Sequence, residues 1–190
     1  ILVHDITERI QVENELKELS LVDELTGLTN RRGFKMLGNQ LLMMAQRMEY
    51  NLGLYYIDMD NLKWVNDVLG HAEGDKALKE IGDILRQTFR SADIIARVGG
   101  DEFVVLSVIS DDHSIPTMMD RLNARVEISN KALPDYQIGF SVGVAVFSPE
   151  NPRTMESLLE EADRDMYVKK AAKKGVRSPS LKNPIRPPGN

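Results

Sequence analysis

The 190-residue sequence contains no cysteine and a single tryptophan, Trp64. Without thiols, disulfides and thiolate metal sites are excluded, and the composition suits a reducing, cytoplasmic setting. No apolar run approaches the roughly 20 residues that a membrane-spanning helix needs, so this stretch is expected to make no membrane contact. Positive charge is not in excess either. With a net charge of −5, general attraction to nucleic acid is excluded, and any site for a polyanion must be built locally. An initiator methionine and a signal-peptide pattern are both missing, and Ile1–Asp5 reads as the end of a strand, so the chain reads as a piece of a longer protein.

What is present describes one globular domain with flanking segments. Apolar residues make up 42% and charged residues 28%, an ordinary balance for a packed core with a solvated surface. Residues 6–22 place Val12, Leu16 and Leu19 at helical spacing between Glu and Lys, an amphipathic helix with a narrow seam. We assign residues 1–22 to the end of an upstream domain plus this helix, 23–177 to the principal domain, and 178–190, with four prolines, to a disordered tail. Within the domain the patterns predict helices over about 31–49, 61–69, 73–89, 115–133 and 154–174, with Thr29 or Asn30 as the first cap. Strands are expected over 52–57 and 138–146, with a hairpin over 93–106. Strands interleaved with helices but joined partly through a hairpin imply an α/β sandwich whose central sheet is mixed and largely antiparallel.

The hairpin carries the chemistry. Ile94-Ile95-Ala96 and Phe103-Val104-Val105-Leu106 flank Arg97-Val98-Gly99-Gly100-Asp101-Glu102, and glycines there permit a tight turn or a close backbone approach. Two adjacent carboxylates in such a turn repel each other and call for a cation. A second acidic pair, Asp58-Met59-Asp60, ends the strand at 52–57 and can lie beside the hairpin turn. Strand-end carboxylates without cysteine suit a hard cation such as Mg²⁺ or Mn²⁺ holding a nucleoside triphosphate.

Four segments occur in the order and spacing of one family. They are Asp23-Glu-Leu-Thr-Gly-Leu-Thr-Asn-Arg-Arg32, Asp58-Met-Asp-Asn-Leu-Lys63-Trp-Val-Asn66-Asp67, Gly70-His71-Ala-Glu-Gly74-Asp75 and Gly99-Gly100-Asp101-Glu102-Phe103. From about Asp23 to Gly175 the chain closely resembles the GGDEF domain of diguanylate cyclases, which condense two GTP into cyclic di-GMP. The resemblance implies a nucleotidyl-cyclase sheet akin to polymerase palms. It implies metal ligation by Asp58, the Met59 carbonyl and Asp101, with Glu102 as a further or supporting ligand and two Mg²⁺ or Mn²⁺ per site. Asp101 and Glu102 then form the catalytic pair, with Asp101 as proton acceptor.

By the same resemblance Asn66 and Asp75 read guanine, since a carboxylate accepts from N1–H and the N2 amino group, which adenine does not offer. Gly99 and Gly100 bring backbone to phosphate, and Lys170 and Lys174 contact the triphosphate. Lys63 and His71 are candidate substrate contacts, with helix capping as the alternative role for His71. Arg90-Ser-Ala-Asp93 resembles the family's product-inhibition site, with Arg121 as its partner arginine. Two substrates in one two-fold product imply a homodimer. The first residues, through Asp5-Ile-Thr-Glu-Arg9, resemble the exit of a PAS sensor. Departures from the family pattern are Leu62, Trp64, and Lys173-Lys174-Gly175 where Gly-Arg-Asn is common. Two other roles fit the same features: a catalytically silent cyclic di-GMP receptor, and a GTP-binding domain regulating a neighbouring phosphodiesterase.

Overall fold

The computed structural model describes residues 20–111, 114–133 and 136–176, with side chains to residue 173 in the last segment. Residues 1–19 of the expected leading segment and the expected tail lie outside them; residues 20–22, expected to end the leading helix, are not helical, and Val22 instead bridges Thr29. In chain order the elements are β1 (Thr29–Asn30), α1 (Arg31–Met48), β2 (Asn51–Met59), α2 (Leu62–Leu69), α3 (His71–Thr88), β3 (Ile94–Arg97), β4 (Glu102–Ile109), α4 (Ser114–Ala132), β5 (Phe140–Phe147) and α5 (Met155–Val176). One sheet runs β1-β3-β4-β2-β5. Only the two-residue pairing of β1 with β3 is parallel, and the remaining pairings are antiparallel. The mixed, largely antiparallel sheet expected from the sequence is the one observed.

Successive side chains of a strand face opposite ways, and β2 is buried on both faces from Leu52 to Met59. That explains its unbroken apolar run. Tyr55, Ile57 and Met59 join Phe103, Val105 and, from α3 and α4, Leu78, Ile81, Leu85 and Leu122. Leu52, Leu54 and Tyr56 join Val104 and Leu106 under Phe34 and Leu42 of α1 and Met155, Leu158 and Ala162 of α5. The same alternation sends Asp58 toward the α1–α5 side of the sheet. Strand β2 continues two residues past the expected Ile57 end, because its neighbours β4 and β5 pair with it through Asp58 and Met59.

Asn30 caps α1: its Oδ1 accepts the Gly33 N–H at 2.9 Å, while its Nδ2 donates to the Ser20 carbonyl at 2.8 Å. Gly70, at φ 90°, separates α2 from α3. The second helix begins at His71 rather than Glu73, so Gly74 and Asp75 lie inside its first turns.

Candidate active site

Register brings the two acidic segments together. Asp58 is paired with Glu102 across β2 and β4 and with Ser141 across β2 and β5, and the Met59 N–H donates to the Asp101 carbonyl at 2.9 Å. The turn between β3 and β4 is held from outside itself. Arg97 donates from Nη2 to the Gly100 carbonyl at 2.7 Å and pairs with Asp23 at 3.3 Å. Arg31, one of two arginines opening α1 against its dipole, donates to the Val98 carbonyl at 3.0 Å. Glu102 folds its carboxylate over Gly99, where a Cβ would collide with it. A side chain at this position would have to push the flexible Glu102 carboxylate aside.

Helix α5 delivers cations to this acidic end. Lys170 Nζ pairs with Asp58 Oδ1, the two side chains being 23% and 11% exposed. Lys173 donates to the Phe140 carbonyl and lies 3.5 Å from Asp60 Oδ2, and Ser141 Oγ donates to Asp60 Oδ1 at 3.0 Å. Burial first, and then the Asp101 and Asp60 charges against the opposing pull of Lys170, leaves Asp58 with a pKa above the ordinary aspartate value. Lys173 is absent from the site set read off the sequence, and Asp60 entered there only as a member of the strand-end acidic pair, without a role of its own. The signal for Lys173 was its place three residues after Lys170, which puts both on one helical face. Lys174 lies within α5, but its side chain is outside the described ones.

A cavity of about 1290 Å³ opens at this end, lined by Met59, Asp60, Lys63, Asp101, Lys170 and Lys173, with Trp64 and Phe140 on an apolar flank. The N-terminus of α2 also faces it. Asn61 there sits at φ 64° and makes no side-chain cap, so the first amides of α2 are left without that partner, a setting that favours an anion. Asn66 and Asp75 are not among the residues lining this cavity. They lie at the α2–α3 junction, where the Asn66 Oδ1 packs against Gly74; Asp75 is exposed, as is His71, the first residue of α3.

Oxygen donors alone (Asp58, Asp101 and the Met59 carbonyl) fit a hard divalent cation by their chemistry. Among the described residues no three acidic or histidine side chains converge on one point. Lys170 holds Asp58, and Glu102 is turned to Gly99. The third cluster is elsewhere, at the turn between α3 and β3. There the Asp93 Oδ2 accepts the Arg90 backbone N–H at 2.7 Å. Burial raises the Asp93 pKa above the ordinary value, opposed by the Arg90 contacts and by the Arg121 charge.

A mixed sheet sandwiched by helices, with carboxylates at a strand end beside a glycine hairpin and lysines closing over them, defines a nucleotidyl-cyclase-like domain. The family model described as "Diguanylate cyclase, GGDEF domain" matches residues 20–175, and the chain belongs to this family. It is 34% identical over 172 residues to the diguanylate cyclase DgcS of Shewanella oneidensis, covering 90% of this chain and 56% of DgcS. Over 172 residues it is 31% identical to the cyclic di-GMP phosphodiesterase PdeR of Escherichia coli, covering 90% of this chain and 26% of PdeR. The solved GGDEF domain of TpbB (YfiN) from Pseudomonas aeruginosa aligns with a TM-score of 0.72 at 33% identity, covering 80% of this chain and 89% of that one. The chain thus spans between a quarter and somewhat over half the length of these two curated relatives. No helix among the described residues is long and apolar enough to cross a membrane.

Proposed function

We propose that this domain is a diguanylate cyclase that joins two GTP molecules into cyclic di-GMP in the cytoplasm. The observation that carries the reading is the register of Asp58 with Glu102, which sets the Asp101 turn beside the Asp58-Met59-Asp60 strand end. Each 3′-hydroxyl oxygen attacks the α-phosphorus of the other GTP, a phosphoester bond forms, and pyrophosphate leaves. Asp58, the Met59 carbonyl and Asp101, with Glu102 in support, would hold Mg²⁺ or Mn²⁺, two per site. When bound, these cations neutralise charge on the leaving pyrophosphate and acidify the attacking hydroxyl.

The chain's own groups do the rest. Asp101 accepts the hydroxyl proton. Lys63, Lys170, Lys174 and the α2 amides hold the triphosphate, with the Gly99 and Gly100 backbone approaching its phosphate oxygens. Asn66 and Asp75, at the α2–α3 junction, select guanine, and His71 is a further substrate contact beside them. Two domains face each other about a two-fold axis, because each contributes one GTP. Cyclic di-GMP binds at Arg90, Asp93 and Arg121 and restrains the reaction.

Incubation with GTP and Mg²⁺, followed by chromatography of the nucleotides, tests this reading. Cyclic di-GMP is expected with GTP and not with ATP, and Asp101→Ala should lower the rate by about 10²–10⁴-fold, the usual range for a lost acid–base group. No product at high protein concentration would overturn it. The similarity to PdeR favours a second reading, a GTP-binding domain that regulates a phosphodiesterase elsewhere in the parent protein. Binding of GTP without turnover would select it.

A further inference from the structure

The pairing of Lys170 with Asp58 has a consequence for the order of binding, resting on the reading of Asp58 as a metal ligand. We propose that Lys170 and the divalent cation compete for Asp58, and that the triphosphate resolves the competition by drawing the Lys170 ammonium onto itself. Metal and nucleotide then bind with positive coupling, and Lys170 is the residue that couples them.

Three observations support this. First, Lys170 Nζ occupies an oxygen of Asp58 in a largely enclosed pair. An ammonium at hydrogen-bond distance and a dication on the same carboxylate repel strongly where water is scarce. Second, Asp58 has Asp60 and Asp101 as acidic neighbours. A carboxylate so placed needs a cation in either state, so removing the ammonium leaves a charge for the metal to satisfy. Third, Lys170 also lines the cavity onto which Lys63 and the uncapped start of α2 open. A four-carbon stem can turn its ammonium from carboxylate to phosphate within that space. Lys173 keeps the helix end in place meanwhile, through the Phe140 carbonyl and Asp60, so only the Lys170 side chain has to move.

The test is Mn²⁺ binding to the intact chain without nucleotide, followed by the loss of the free-ion electron paramagnetic resonance signal. Lys170→Met keeps the stem and removes the charge; Lys170→Gln is a second variant, and thermal unfolding confirms that each folds. Both should bind Mn²⁺ roughly three- to tenfold more tightly than the wild type, the scale on which a partly enclosed ion pair competes. Both should bind inorganic tripolyphosphate more weakly. Lys173→Met, whose ammonium lies on Asp60, should change Mn²⁺ binding less. Equal or weaker Mn²⁺ binding by the Lys170 variants overturns the inference, as does an equal gain in Lys173→Met, which would indicate a general field. Asp58→Asn separates the two levels. Mn²⁺ binding that ignores Asp58 refutes the metal reading and this inference with it. An Asp58-dependent site indifferent to Lys170 refutes this inference alone.

Discussion

Met166 of α5 lies with its backbone directly on Gly143 of β5: a Cβ at Gly143 would collide with the Met166 amide nitrogen and the Ala162 carbonyl oxygen. Asp165 reinforces the approach by accepting the Val144 N–H at 2.8 Å, which also occupies a donor of an edge strand. Gly143 pairs with Tyr56, two residues before Asp58, and Lys170 follows Met166 by four residues, one helical turn. The contact therefore sets where Lys170 meets Asp58. Gly143→Ala should cost about 1–3 kcal/mol, the usual range for overpacking, because backbone cannot yield as a side chain can. Urea unfolding reads the loss, and an unchanged midpoint would show that α5 has room to retreat.

Gly74 offers a subtler lever. A Cβ there would strike the Asn66 side-chain oxygen, while alanine inside a helix gains up to about 1 kcal/mol over glycine. Gly74→Ala should thus fold well yet displace Asn66. Binding of a non-hydrolysable GTP analogue should weaken by about tenfold, a single lost polar contact, with tripolyphosphate binding unchanged. Equal weakening of both ligands would remove Asn66 from base recognition.

The pairing of Arg97 with Asp23 makes part of the stability depend on pH. Burial pushes the Asp23 carboxyl upward, but hydrogen bonds from Thr26 and the Arg97 charge outweigh it and hold the pKa below the usual 3.8. A depressed folded-state value means stability that is present above the unfolded pKa and lost as pH falls through the folded one. Asp23→Asn should therefore cost about 2 kcal/mol near neutrality, as for a charged hydrogen bond. The difference from wild type should shrink below pH 4 in parallel denaturant titrations. A gap that stays constant with pH would assign the effect to packing.

At the α3–β3 turn, Arg90 holds Asp93 through its backbone N–H, so Arg90→Ala retains the turn and removes only the guanidinium. Affinity for cyclic di-GMP should fall by about tenfold or more, as expected for a lost charge-assisted contact, while GTP turnover without product is preserved. Calorimetric titration showing wild-type affinity would place product elsewhere.

Burial raises the Asp93 pKa, and if, as proposed, its carboxylate helps bind cyclic di-GMP by accepting from guanine donors, it must be ionised. Protonation therefore sets in at higher pH than for a free aspartate, and cyclic di-GMP affinity should decline on acidification from that higher pH. Asp93→Asn should abolish this pH response; its persistence would point to another group.

The sequence by itself determined the order of the elements, the hairpin and its carboxylates, and the family. Local patterns carry those facts: a continuous apolar run in β4, alternating small and apolar positions in β5, helical spacing in α3, glycines at the turn. It did not show that β2 continues through Met59, because Asp58 reads as a strand end until its pairing with Glu102 and Ser141 is known. The two-residue β1 was equally invisible, being defined only by its partner β3. The resemblance pointed to Lys170, but only the tertiary structure showed that it pairs with Asp58 and that Lys173 reaches the same acidic end. The reason is the close seat of α5 on Gly143. A helix's distance and rotation over a sheet are set by contacts between residues far apart in the chain, and no local period encodes them.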